Sequence, residues 1–129
     1  MPRYALLEHT GAPDDPSGCH YDLLLEDGEH CRTWRLSQIP IAGGGGGEQE
    51  AVPLAPHRLV WLEPRSAAVS GNRGWARGIA HGDYAGALPA AADGPVALEL
   101  LDGPLQGRLR LANGRCRLEA SPTPTGNGP

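Results

Sequence analysis

The chain has 129 residues, which is the length of one domain with a modest core. Its formal net charge is -4, and this acidic balance excludes a broad basic surface that coats nucleic acid, although a local basic patch remains compatible with it. No apolar stretch approaches the length of a membrane span and nothing resembles a signal peptide, so we expect a soluble protein that makes no membrane contact.

The cysteines also limit the class of protein. There are three of them, an odd number, and no two form a Cys-x-x-Cys pair. Neither a disulfide framework nor a zinc ribbon is therefore indicated. We expect free thiols and a reducing, cytoplasmic location.

Glycine and proline fall mainly between short apolar runs, as is typical of a turn-rich β protein. Asp27-Gly28 and Asn113-Gly114 have the composition of two-residue hairpin turns, because these residues adopt positive φ at low cost. No segment has a sustained helical period. The pattern predicts an all-β fold, a small antiparallel β-barrel of about eight short strands with little helix. The predicted strands are 3–8, 20–26, 31–36, 58–62, 75–79, 96–101, 105–111 and 115–119.

The predicted barrel domain spans residues 1–120 and contains one long loop. Residues 43–50 begin with five consecutive glycines and lack the helix and the Lys or Ser/Thr of a phosphate-binding loop, so a flexible surface loop is predicted. Residues 121–129 have no apolar anchor and are predicted to be a disordered tail.

The segment from His20 to Glu26 carries the clearest chemical signal. In an extended strand, His20, Asp22 and Glu26 point to one face while the residues between them point to the other. A buried carboxylate is costly without a cation or a hydrogen-bonding partner, so His-x-Asp beside three leucines indicates half of a metal site. A surface-facing pair on an edge strand would have the same sequence.

His9 lies at the end of the first predicted strand, eleven residues before His20. Neighbouring strands would bring it beside the His-x-Asp face, and two histidines with one aspartate leave coordination positions open for substrate and water. Manganese, zinc and iron all suit this set. Glu26 shares the same face and is expected either to support a ligand by a hydrogen bond or to form an ordinary ion pair.

The order of these motifs resembles the 3'-phosphoesterase domain of bacterial DNA ligase D and its small stand-alone relatives, from Tyr4 to about Leu118. The matching pieces, in chain order, are Glu8-His9, His20-Tyr21-Asp22 with Leu25-Glu26 and Gly28, Thr33-Trp34 leading to Pro40, His57 to Trp61, Val69 to Gly74, and Leu101-Asp102-Gly103 with Leu105 to Leu109.

The resemblance implies a manganese ion held by His9, His20 and Asp22, with His57 beside the scissile phosphate. The implied reaction removes a 3'-terminal phosphate or ribonucleotide from a DNA or RNA primer-template in DNA repair. The 3'-hydroxyl that remains would serve a DNA ligase or polymerase acting in trans.

Three positions depart from the family pattern. Leu24 stands where active members have an arginine, Pro56 stands where an aspartate usually precedes the histidine, and Trp61 replaces a common tyrosine. We expect Arg73 or Arg77 to supply the missing positive charge. The Leu24 substitution also favours an alternative, a non-catalytic module that binds metal and nucleic-acid ends. A less favoured alternative is a non-haem iron oxygenase, which uses a similar ligand pattern.

Overall fold

The computed structural model describes residues 1–42 and 47–121. Its helical content is one short 3-10 turn, so the predicted all-β class is confirmed for this part of the chain. The elements are β1 (Arg3–Thr10), β2 (Cys19–Asp27), β3 (His30–Leu36), β4 (Gln49–Arg58), the 3-10 turn η1 (Leu59–Leu62), β5 (Ser66–Ala68), β6 (Trp75–Ala85), β7 (Val96–Leu100), β8 (Gly107–Ala112) and β9 (Arg115–Glu119). Most of the predicted glycine run, 43–46, and most of the predicted tail, 122–129, lie outside the described residues.

Eight of the strands form a closed ring of antiparallel pairs. The order is β1-β2-β3-β4-β9-β8-β7-β6, and β6 returns to pair with β1 along most of its length. β5 adds a short edge beside β6. Closure leaves few unpaired strand edges and gives the sheet an inner and an outer face.

Each face of the ring carries its own apolar cluster. The inner cluster receives side chains from all eight ring strands, including Tyr4, Leu23 and Leu109. The second cluster lies on the outer face of β1, β2, β3 and β6, where η1 covers it. Alternating side chains on β1 and β2 therefore enter two different cores, which explains why the leucines of β2 are consecutive rather than alternating.

Both predicted hairpins are present. Asp27 pairs with His30 across a two-residue turn that begins with Gly28 at φ 67°. Asn113 and Gly114 both have positive φ, 55° and 72°, as a type I′ turn requires. These turns fix the register of the strands on either side of them.

The strand predicted at 58–62 is wrong. Residues Leu59–Leu62 form η1, and the preceding strand is β4, which begins at Gln49 inside the loop predicted for 43–50. β4 contains Pro53 and Pro56, residues that normally argue against a paired strand. They are accommodated because beyond Glu50 β4 pairs only with β3.

The region around β5 and β6 also differs from the prediction. β6 continues from Trp75 to Ala85, through a His-Gly-Asp stretch that has the composition of a turn, and β5 was not predicted. Within the described residues, no helix has the length and apolar character needed to cross a bilayer.

Candidate metal centre

Three ligand-type side chains meet on the outer face of the ring where β1 and β2 pair. His9 and His20 are directly opposite each other in the register, and Asp22 follows two residues later on the same face. One ligand atom from each residue lies within 4.8 Å of the others. The structure thus contains the group of candidate ligands that the sequence predicted.

These three side chains are buried. Asp22 is 2% exposed, His20 3% and His9 9%. A carboxylate this deeply buried cannot rely on water to stabilise its charge. The alternative of a surface-facing pair on an edge strand is therefore excluded.

His9 and His20 each form one hydrogen bond, through one ring nitrogen, to a residue other than the three candidate ligands. His20 Nδ1 donates to Asp15 Oδ2 at 2.8 Å, and His9 Nε2 donates to the carbonyl oxygen of Arg73 at 2.6 Å. Both partners are acceptors, so the network assigns the proton on these nitrogens. This arrangement is typical of metal-binding histidines, whose second nitrogen is held by a carboxylate or carbonyl.

The remaining ring nitrogens face Asp22. His9 Nδ1 lies 3.3 Å from Asp22 Oδ2, and His20 Nε2 lies 3.4 Å from Asp22 Oδ1. In the described part of the chain, His20 Nε2 and Asp22 Oδ1 are buried without a hydrogen-bond partner. With neutral imidazoles, three electron-pair donors converge there, and a cation or added protons must offset their repulsion. These nitrogen and oxygen donors fit a divalent transition metal.

The surroundings of Asp22 and Asp15 determine the ionisation of these two carboxyl groups. Burial raises the pKa of Asp22, but the nearby His57, His20 and His9 outweigh burial and hold that pKa below its usual range. Hydrogen bonds from Ser17 and from His20 lower the pKa of Asp15 to about 2. Both carboxyl groups are therefore ionised at neutral pH.

His57 joins the group from the end of β4. Its Nε2 lies 3.7 Å from Asp22 Oδ2, and its Nδ1 lies 3.2 Å from the carbonyl oxygen of Ala55. The main chain thus orients this ring through the carbonyl oxygen of Ala55. The structure places His57 beside Asp22 and in the lining of a cleft.

A cleft of about 570 Å³ opens beside the group. His9, Asp22 and His57 contribute to its lining, and so do four arginines: Arg35, Arg58, Arg65 and Arg73. Only Arg73 was predicted from the sequence. Arg35 was predictable in principle, because the Asp27–His30 turn sets the register that places Arg35 opposite Asp22.

The two arginines predicted for the site are in different places. Arg73 lines the cleft, and its guanidinium donates to Ser70, with Nε 2.7 Å from the carbonyl oxygen. Arg77 bonds to Glu8 at 3.1 Å, and Glu8 lies next to His9 on β1 and so points to the opposite face. The structure brings Arg73 to the group but not Arg77.

Glu26 makes an ion pair rather than supporting a ligand. Its Oε1 accepts from the main-chain nitrogen of Arg3 at 2.9 Å and from Arg3 Nε at 3.2 Å. Leu24 lies between Glu26 and Asp22 on the same face of β2 and is completely buried in the outer cluster with Trp61. An arginine at position 24 would therefore meet apolar neighbours.

Comparison with models of known protein families gave no match to this chain, and comparison with characterised proteins gave none either.

Proposed function

We propose that this protein is a metal-dependent phosphoesterase that processes the 3' end of nucleic acid, removing a terminal phosphate or ribonucleotide in DNA repair. The observation that supports it is the convergence of His9, His20 and Asp22 at a cleft lined by arginines. A cation site next to several guanidinium groups suits a phosphate ester, whose charge both can neutralise.

Manganese is the metal we propose, and His9, His20 and Asp22 would hold it through the atoms that face one another. When bound, the metal would polarise a phosphoryl oxygen and lower the pKa of a bound water. Asp15 and the Arg73 carbonyl keep the two imidazoles in the tautomers that ligation needs.

His57 is the proposed acid-base residue. It is 26% exposed and is oriented by the carbonyl oxygen of Ala55, so its Nε2 can reach both the cleft and the edge of the metal group. A histidine placed there can hold or release a proton at the leaving oxygen. Arg73 would neutralise charge on the phosphate, and the placement of Arg77 gives it no such role.

The proposed substrate is the end of a DNA or RNA primer-template rather than a long duplex. The protein is acidic overall, so the positive charge of the cleft is local. Contacts to a few phosphates would suffice at a strand end, and affinity would fall as salt rises. A ligase or polymerase in trans would use the resulting 3'-hydroxyl. A reducing cytoplasmic location fits the three free thiols.

The test is release of inorganic phosphate from a 3'-phosphorylated primer-template, with and without manganese. Wild type is compared with His20→Ala and with His30→Ala, a matched variant of an exposed histidine at the start of β3. We expect manganese-dependent release by wild type and His30→Ala, and none by His20→Ala. Equal release by all three proteins would contradict the proposal.

A non-catalytic binding module is the second candidate, and the burial of Leu24 in the outer apolar cluster favours it. This module would bind manganese and a 3'-phosphorylated strand without releasing phosphate. Binding of both ligands with no turnover would support it over the phosphoesterase.

The pair of histidines with one carboxylate also matches the ligand type of non-haem iron oxygenases. Oxygen uptake that requires iron and a 2-oxo acid would support that third candidate. The arginine-lined cleft favours phosphate chemistry instead.

A further inference from the structure

We propose that Arg35 makes the main contact to the phosphate group in this cleft, with Arg73 adding positive charge, and that Asp14 occupies the Arg35 guanidinium when phosphate is absent. The inference rests on the proposed function in one respect, that the ligand is a phosphate ester. It assigns the phosphate contact to a residue on β3, next to the strand that carries His20 and Asp22.

The position of Arg35 follows from the sheet register. Arg35 is directly opposite Asp22 in the β2–β3 pairing, so both side chains leave the same face. The Cβ atoms of residues paired in this way lie about 4.5–5.5 Å apart. Both residues line the same cleft, which puts the guanidinium beside the candidate metal group.

Arg35 has hydrogen-bonding capacity that its neighbours do not use. A guanidinium has five N–H donors in a planar fork. Arg35 Nη2 donates to Asp14 Oδ2 at 3.2 Å, whereas its buried Nε has no acceptor among residues 1–42 and 47–121. A buried donor without an acceptor is costly, and an oxyanion in the cleft would satisfy it.

Asp14 is a partner that phosphate can displace. Its side chain is 71% exposed, and it also lines the cleft. Exposed ion pairs contribute little free energy, so an incoming dianion can replace this carboxylate. The next residue, Asp15, anchors His20, so one loop holds both the arginine and a candidate metal ligand.

The other arginines of the cleft contact different groups or lie farther along the strands from Asp22. Arg73 is bonded to the main chain and side chain of Ser70. The guanidinium of Arg65 lies 4.8 Å from the centre of the Trp61 ring. Arg58 is exposed and pairs in register with His30 at the far end of β3.

The experiment measures the Kd of inorganic phosphate by calorimetry, on metal-free protein and with one equivalent of manganese. Arg35→Gln is expected to weaken phosphate binding by about tenfold or more, the effect of losing charged hydrogen bonds. Asp14→Asn is expected to tighten it by up to about fivefold, because a weak exposed ion pair no longer competes. Arg110→Gln, which removes an exposed, ion-paired arginine on β8, is the matched control and should leave the Kd unchanged.

Manganese affinity is measured in parallel, since a merely structural role of Arg35 would change it. We expect Arg35→Gln to retain wild-type manganese affinity. If Arg35→Gln fails to fold, Arg35→Lys replaces it and is expected to weaken phosphate binding several-fold, because Lys lacks the planar fork. A phosphate Kd equal to that of Arg110→Gln, in whichever variant folds, would overturn the inference.

The outcomes for Arg35 and for the phosphoesterase are separable. Phosphate binding that requires Arg35, without release from a 3'-phosphorylated primer, would support the inference and contradict hydrolysis. Manganese-dependent release that Arg35→Gln leaves unchanged would support hydrolysis and overturn the inference.

Discussion

Asp15 shows how much of this site depends on a residue outside the group of ligands. It holds His20 Nδ1 at 2.8 Å and thereby directs Nε2 toward Asp22. Asp15 lies in a turn between β1 and β2, where an Asp-Asp-Pro-Ser sequence is ordinary loop composition. Nothing in that composition distinguishes an anchoring carboxylate from a solvated one.

The pKa of Asp15 predicts a pH-dependent contribution to folding. Its folded value of about 2 is below the ordinary value of 3.8, so the native state favours the ionised form. The stabilisation is complete above pH 3.8 and is lost as the pH falls through about 2. In urea unfolding, the free-energy difference between wild type and Asp15→Asn should close as the pH falls from about 4 toward 2. A difference that persists unchanged at pH 2 would contradict this assignment.

At this scale the sequence predicted residue types better than contacts. The spacing of His20 and Asp22 on one strand, with His9 on its neighbour, was enough to predict the group. It left open whether Glu26 supports a ligand or makes an ion pair, because Arg3 reaches it from the start of β1. Arg35 was missed because only the register of the β2–β3 pair places it opposite Asp22. That register depends on the position of the turn at Gly28 and is not visible in the composition of either strand.

At the scale of elements, Leu24 marks the boundary between the site and the outer apolar cluster. It is completely buried and packs among residues such as Ala5 and Cys31. Leu24→Arg is expected to lower the free energy of unfolding by about 3 kcal/mol or more, since it buries an unpaired charge. Leu24→Met should cost less than about 1.5 kcal/mol. Urea titration of both variants tests this, and equal stability for Leu24→Arg and wild type would contradict the described packing.

Gly74 lies in the β5–β6 loop, beside the residue whose carbonyl oxygen contacts His9 of the candidate metal site. Its φ is +90°, and a Cβ there would collide with the carbonyl oxygen of Thr10 and with Gly11. Gly74 follows Arg73, whose carbonyl oxygen accepts from His9. Gly74→Ala should therefore displace that carbonyl and weaken manganese binding by about 10- to 100-fold, the usual effect of losing a ligand's supporting contact.

The control for Gly74→Ala is Gly28→Ala, in which a positive φ is strained but the new Cβ meets nothing within 4 Å. It should reduce stability by about 1 kcal/mol and leave manganese affinity unchanged. Equal manganese affinity in the two variants would show that the Arg73 carbonyl does not support His9.

Whether a strand could be predicted from the sequence depended on how many of its residues are apolar and buried. Strands with apolar residues on one or both faces, such as β2 and β8, were recognised. β4 was not, because most of its residues are exposed and it contains two prolines. Its pairing with β3 is imposed by the closed ring rather than by its own composition.

For the whole molecule, closure of the ring puts the main apolar core on one face of the sheet and the candidate site on the other. The inner cluster fills the ring, while the candidate site occupies the outer face beside a second, smaller cluster. An acidic protein can thus present several arginines at one cleft. The all-β class was predictable from turns and short apolar runs, but the use of both faces of the same strands was not.

The most direct test of this account is a manganese titration of the full chain, followed by electron paramagnetic resonance, for wild type, Asp22→Asn and the exposed-loop control Asp93→Asn. We expect wild type and Asp93→Asn to bind one ion per chain, and Asp22→Asn to lose affinity by at least about 100-fold because it removes the only carboxylate of the described group. Absence of stoichiometric binding to wild type, or equal binding by Asp22→Asn, would contradict the metal centre on which the proposed function depends.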